Sequence, residues 1–297
     1  GCAVRRSLAR AIWTSAAAAA LGLTGCAGTY DLVTSQRFKD RPFHTLFTKE
    51  DPIEVLEKVQ EGDDRVRAMD NLKEPRENGG TAAQQGRVIA ILQASATTEK
   101  RPLCRLAAVE ALGRFKDPRA GQILIAAYHN APHDGGPAAS VGSPEPVSQA
   151  SVNGLGIKMA MSTFTPQTVT TLQCRALEAI GKNRSPEGLQ LLLQVATAPT
   201  ERPKSNGVEP AGALMSLEAI NQPSEGDRAD VRLAAIRALG NYEKDAAATR
   251  ALVGLLRTEK DVAVRGRAHE SLVKITGQDL PADGEAWAKW LDKGGKH

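Results

Sequence analysis

Apolar residues recur along this chain at three- and four-residue steps, in blocks that end on small residues. A second apolar block follows each of them. That period is the signature of an amphipathic helix with one buried face. The first block has the form small/apolar–Arg–x–Ala–Ala–apolar–x–Ala–Leu–Gly, clearest at residues 104–113 and 231–240. Leu72, Leu112, Ile180, Leu239 and Leu272 hold the same place in five copies, at intervals of 40, 68, 59 and 33 residues. Self-similarity on this scale predicts an all-α fold, an α-solenoid in which each helix pair is sheltered by its neighbours. The shortest interval is the bare repeat, and the longer ones carry inserted loop.

The first helix of each pair, helix A, is the phrase itself. The second, helix B, is expected at residues 84–94, 119–128, 187–196, 246–257 and 285–291. Asp117-Pro118 and Ser185-Pro186 each place a capping oxygen before a proline suited to the first helical turn. Thr81-x-x-Gln84 has the form of a capping box. Gly113, Gly181 and Gly240 stand where helix A should stop, and they are read as left-handed residues closing it. Asp51-Pro52-Ile53-Glu54 predicts a further short helix through Gln60, a cap for the start of the array. Strand signals are nearly missing, since period-two alternation is lacking.

Tandem helix pairs with Val-Arg and Ala-Leu-Gly in the first member and Leu-Leu in the second resemble HEAT repeats over residues 62–291. The resemblance implies a superhelix of about five HEAT-like pairs. It also implies that the arginine slot, filled by Arg65, Arg105, Arg232 and Arg265, forms a structural ladder of ion pairs to acidic residues of neighbouring repeats. Asp63, Asp230 and Asp261 are the acids at hand. Gln173 takes the slot in the third copy and leaves that rung in doubt.

Residues 1–25 belong to a different system. Arg5, Arg6 and Arg10 form a positive start, and residues 11–23 an apolar stretch too short to span a bilayer, which needs about 20 residues. Leu23-Thr24-Gly25-Cys26 then resembles the lipobox of bacterial lipoproteins, which implies a signal peptide cut before Cys26 and acyl chains on that cysteine, palmitate among them. The expected location is the bacterial cell envelope, lipid-anchored to a membrane and facing the periplasm or exterior. Gly1-Cys2 does not make a myristoylation signal, because Arg6 stands where Ser or Thr is needed.

Processing changes the charge. The whole chain has 38 Lys and Arg against 34 Asp and Glu, and the loss of Arg5, Arg6 and Arg10 leaves 35 against 34. No basic stripe interleaved with aromatics remains, so nucleic acid is not an expected partner. Residues 26–50 read as a tether with apolar residues, among them Tyr30, Phe38, Phe43 and Phe47, that part-dock on the first repeat. Residues 51–297 are the solenoid, with Gly-, Pro- and Ser-rich inserts at about 130–163 and 198–229. A short helix is expected near 211–220 in the second. Both inserts follow a B helix, so they should share one rim, either as a docking site or as tolerated loop growth. Leu280, Trp287 and Trp290 are expected to cover the last apolar face, with ligand stacking as the alternative.

Chemistry is sparse. Cys104 and Cys174 stand two helix positions out of register, a rotation of about 200°, and are read as small hydrophobes, not a disulfide. His129 and His133 have metal-ligand spacing, but Pro132 and Gly135-Gly136 interrupt the helix it would need. His269 is placed at the surface. Gly154-Leu155-Gly156 lacks the strand that would make it a phosphate loop. No catalytic residues, metal, cofactor or small-molecule substrate are expected. The function expected is a membrane-anchored scaffold or adaptor for an unidentified protein partner. The alternatives are a lyase-type HEAT-like enzyme or its accessory, and a structural envelope lipoprotein.

Overall fold

The computed structural model describes residues 51–59, 62–132, 164–199 and 224–294. The chain divides into two units, Gly1–Asp51 and Pro52–His297. The second is helical throughout its described residues, with no strand among them. Its helices are α1 (Pro52–Lys58), α2 (Gly62–Asn71), α3 (Ala82–Thr97), α4 (Pro102–Arg114), α5 (Pro118–Asn130), α6 (Pro166–Asn183), α7 (Pro186–Thr197), α8 (Glu225–Leu239), α9 (Ala246–Thr258), α10 (Val262–Thr276) and α11 (Gly284–Asp292). The expected signal segment and tether, Cys26, His133, Gly154 to Gly156 and the short helix expected near 211–220 lie outside the described residues.

Packing follows the parity of the helix number. The even helices are the A row, in which α2, α4, α6, α8 and α10 each lie against the next. The odd helices are the B row, in which α1, α3, α5, α7, α9 and α11 do the same. This two-row stack is the α-solenoid expected from the repeats. Both of its outermost helices, α1 and α11, belong to the B row. The five anchors are all buried, and four of them are sealed from solvent completely. Each contributes about 1.5–3 kcal/mol through the apolar surface it removes from water.

The helix starts are where the capping residues place them. Thr81 makes a full capping box with Gln84. The Asp117 side chain accepts from the Arg119 amide, and Ser185 from the Gly188 amide. A further box, Ser224 with Asp227, starts α8 at Glu225, inside the stretch read from sequence as the second insert. The far end is closed by α11. Trp287 is fully buried, and its Nε1 donates to the Pro281 carbonyl at 3.0 Å. His269 is half-buried, not a surface residue. Its Nε2 meets the Leu280 carbonyl at 2.7 Å and its ring meets the edge of Trp287.

The repeat glycines do something other than stop helices. None of Gly113, Gly181 and Gly240 has a positive φ. Among the described residues that conformation occurs at Gly79, Arg184, Lys244, Gly277 and Gly294. Gly113 and Gly181 lie inside α4 and α6, and Gly240 caps α8 in a right-handed conformation. Their role is contact with the next A helix. A Cβ on Gly113 would sit 2.9 Å from Ala179 Cβ, and one on Gly181 would sit 2.8–2.9 Å from the carbonyl oxygen, Cα and Cβ of Ala238. At Gly240 the neighbour is Ser271, at 3.1–3.2 Å. Each Gly of one phrase therefore faces the Ala (or Ser) two places before the Gly slot of the next. Copy one has Lys73 in the glycine slot. There α2 ends at Asn71, and Arg114 Nη2 donates to the Met69 and Asp70 carbonyls at 2.7 and 3.1 Å.

Gly181→Ala is expected to destabilise the protein by about 1–3 kcal/mol, because backbone atoms of α8 must move to admit a methyl group. Gly254 and Gly266 have nothing within 4 Å of a Cβ. Gly254→Ala and Gly266→Ala should each stabilise by about 0.5–1 kcal/mol through helix propensity alone. Urea unfolding of the variants measures both signs.

Candidate docking surface

The slot arginines lie on the edge where each B helix turns back into the next A helix. Arg65, on α2, donates through Nη1 to the Leu56 carbonyl at 2.9 Å and through Nη2 to Ser95 Oγ at 3.1 Å. Arg105, on α4 and almost fully buried, donates to the Glu99 carbonyl at 2.6 Å and the Asn130 carbonyl at 3.0 Å. Its guanidinium lies 4.6 Å over the ring of Phe164. Arg232, on α8, donates to the Ala196 carbonyl at 2.8 Å and pairs with Glu259. Each of the three thus joins the end of the preceding B helix to the end of the following one. The carbonyls left open at a helix C-terminus carry partial negative charge, which a cation satisfies.

These partners differ from the acids the resemblance implied. Asp63 and Asp230 are exposed, and Asp261 caps α10 through the Ala263 amide. Arg265 is exposed and its side chain makes no hydrogen bond or ion pair among the described residues, so it forms no rung. Gln173 likewise forms none. Ion pairs between repeats run through other residues on the open face of the A row. Arg175 reaches Glu110 at 3.9 Å and Arg237 reaches Glu178 at 3.0 Å, and Arg175 and Glu178 pair within α6 at 3.1 Å. Exposed pairs of this kind are worth about 0–1 kcal/mol each.

The same edge carries both inserts. The first leaves after Pro132 and returns at Phe164, the second leaves after Pro199 and returns at Ser224. Ala131 and Phe164 are buried together with Leu172, so the described ends of the first insert are pinned to the fold. Leu103 and Val262, the large apolar side chains most exposed among the described residues, stand at the starts of α4 and α10 on this edge.

Charge is sparse along the middle of the B row, from α3 to α9. Helix α8 has six charged residues, whereas α7 beside it has one, Glu187. Helices α3 and α5 carry one arginine each, and α9 carries two. The outward stripe at the middle of the B row is Gln122, Ala126 and His129 on α5, with Gln190, Gln194 and Thr197 on α7. Half-buried Ile125 and Leu193 adjoin it. Interface cores are marked by such depletion of charge, not by bulk hydrophobicity.

A polar cluster missed in the sequence lies on the opposite edge. Gln85 is fully buried, and its Nε2 donates to Glu74 Oε1 at 2.8 Å and to Asp117 Oδ2 at 2.9 Å. Glu74 Oε2 accepts from the Lys116 amide at 2.7 Å. Arg119 donates to both Asp117 oxygens, and these bonds hold the Asp117 carboxyl well below the usual carboxylate range. The cluster locks the first two repeats together and every acceptor named has a donor. Only the Thr81 box and the Asp117 cap were visible as local signals. Residues 74, 85 and 117 meet only once the repeats stack.

The cysteines are free thiols, Cys104 buried and Cys174 half-buried. Burial pushes the Cys104 thiol up and the Cys174 thiol to about 11, so both stay protonated and unreactive near neutral pH. His129 is exposed at the end of α5, and among the described residues no group of three His, Cys, Asp or Glu is placed to hold a metal ion. No described helix is long and apolar enough to cross a membrane.

Comparison with known families bears on one repeat directly. Residues 105–130 match the family described as PBS lyase HEAT-like repeat. That window runs from the slot arginine of α4 to the last residue of α5, one full helix pair. With the stacking of its neighbours it makes the described residues an all-helical, HEAT-like α-solenoid. Comparison with curated proteins and with solved structures gives no match.

Two outcomes test the geometry. Arg232→Met should cost about 3–5 kcal/mol by stranding a partly buried carboxylate and a helix-end carbonyl, while Arg265→Met stays within about 0.5 kcal/mol of wild type. Denaturant melts decide both. Asp117→Asn should cost about 1–3 kcal/mol at pH 6. A depressed pKa contributes stability above the unfolded value, about 3.9, that is lost as pH falls through the folded one. The gap between Asp117→Asn and wild type should therefore narrow in melts taken from pH 4 downward.

Proposed function

We propose that this protein is a scaffold that holds a protein partner on the outward face of its B row, and that it works at the bacterial cell envelope, lipid-anchored through Cys26. The observation that carries the scaffold reading is the scarcity of charge along the middle of the B row. The A row presents a solvated lattice of ion pairs, whereas the centre of the B row presents amides, small residues and half-buried aliphatic side chains. A partner can dry the second surface without stranding charges, which makes it the cheaper one to cover. Solenoids offer such extended faces because each repeat adds one more helix to the row. The anchor reading rests on the basic start, the apolar stretch and Leu23-Thr24-Gly25-Cys26.

Capture of partners from detergent-solubilised membranes tests the scaffold. Wild type should retain a stoichiometric protein that the triple variant Gln122→Glu, Gln190→Glu, Gln194→Glu loses. Charge reversal on the A row, Lys182→Glu with Lys274→Glu, should retain it. Equal recovery by all three sinks the reading. For the anchor, Cys26→Ser should abolish incorporation of an alkyne-palmitate label and release the protein from the membrane pellet. Labelling that survives the substitution sinks it.

A further inference from the structure

The two described ends of the array repeat a short phrase with one telling difference. Thr98-Glu99-Lys100-Arg101 follows α3, and Thr258-Glu259-Lys260-Asp261 follows α9. In the second phrase Glu259 pairs with the slot arginine Arg232. The matching partner of Glu99 would be Arg65. Instead Arg101, standing where the other phrase has Asp261, takes Glu99 in a two-point pair, Nε and Nη2 both at 3.1 Å. That pairing holds the Glu99 carboxyl below its ordinary range. Arg65 is left with carbonyl and hydroxyl acceptors and no carboxylate among the described residues, and its Nε has no hydrogen-bond partner.

Arg65, which shares the field of Glu99 without bonding to it, borders a groove. Between α1 and α3 the surface sinks into an open trough lined by Leu56, Ala90, Ile91 and Ala94, with Arg65, Arg87 and Glu57 beside them. Arg87 is neutralised only loosely, by Glu57 at 3.5 Å, and both of those side chains are more than a third exposed. Two guanidiniums against the one carboxylate of Glu57 leave the apolar trough net positive, which favours an anion attached to aliphatic surface. Guanidinium and carboxylate are also the pair best suited to bidentate bonding. The trough is open, not enclosed, and continues the face of the B row, which suits a stretch of polypeptide.

We infer that the groove between α1 and α3 receives an acidic peptide segment of the protein partner, one carboxylate side chain meeting Arg65 and Arg87 while adjacent aliphatic side chains lie on Ala90, Ile91 and Ala94. This inference rests on the scaffold reading and adds the chemistry of the partner to it. Ala90 and Ala94 are exposed, so a larger residue there fills the trough without entering the core.

The test uses the purified chain and a random dodecapeptide library displayed on phage. Panning on wild type should enrich sequences with Asp or Glu next to Leu, Ile or Val. Synthetic copies of them should bind at least tenfold more weakly to Ala94→Trp and Arg87→Glu, and to wild type when their acid is replaced by its amide. Binding should weaken as salt is raised, and Arg250→Glu, on α9, should leave it unchanged. Circular dichroism melts confirm that the variants fold. No enriched peptide, enrichment without acidic residues, or equal binding by Ala94→Trp overturns the inference. If the groove variants still capture the membrane partner while the glutamine variants do not, the groove is wrong and the scaffold stands. If neither set loses the partner, the scaffold reading itself has failed.

Discussion

Everything in this structure depends on how closely one A helix can approach the next. Glycine on one side and alanine or serine on the other bring backbone to within van der Waals reach at Gly113, Gly181 and Gly240. Interhelical spacing is set by the bulk of the side chains at the crossing. A small contact at three of the four A-row junctions therefore sets the pitch of the stack from α4 to α10. The B row carries its own close contacts. A Cβ on Gly121 would meet the Ser185 side chain, and one on Gly188 would meet Ile180 and Ser185. Between the rows the anchors fill the remaining space, and the tight spacing lets a single arginine span two B-helix ends.

The repeats were legible because their helices share one period and their anchors one register. All five A helices and all five B helices after α1 lie where the apolar blocks place them, and the proline-led starts hold at Asp117 and Ser185. The glycines were misread for a physical reason. A helix end and a helix crossing both favour glycine, and nothing local tells them apart until the next repeat is set beside it. The arginines were misread similarly. Arg232 does pair with a carboxylate, Glu259, but Arg65, Arg105 and Arg232 all bond main-chain oxygens at the ends of other helices, which no side-chain pattern reveals. Gln85 was invisible because an amide on a helix face carries no signal until Glu74 and Asp117 arrive on either side. His269 belongs with these, since its acceptor is a carbonyl in a turn eleven residues away. Of the candidate surface, the inserts were visible as composition. The neutrality of the B row emerges only when the helices are sorted into rows.

The two edges of the stack divide the work of joining repeats. On the insert edge, Arg65, Arg105 and Arg232 neutralise helix ends, and the break at Gln173 falls in the repeat that has an insert on each side. On the other edge, Gln85 holds repeats one and two, Asn183 donates to the Phe115 carbonyl at 3.0 Å, and Tyr242 donates to the Ser185 carbonyl at 3.0 Å. Tyr242 is buried, which raises its pKa and keeps it a donor. Polar groups at these seams fix register, while small and aliphatic residues supply the cohesion. With the seams satisfied from within, the outward face of the B row is spared that task and stays free of charge at its centre.

Because the described array begins at α1 and finishes at α11, both members of the same row, its pattern is one B helix followed by five A–B units. A unit duplicated in the interior would leave both of these helices in place, with Trp287 still buried beside α9, and would add one crossing to each row.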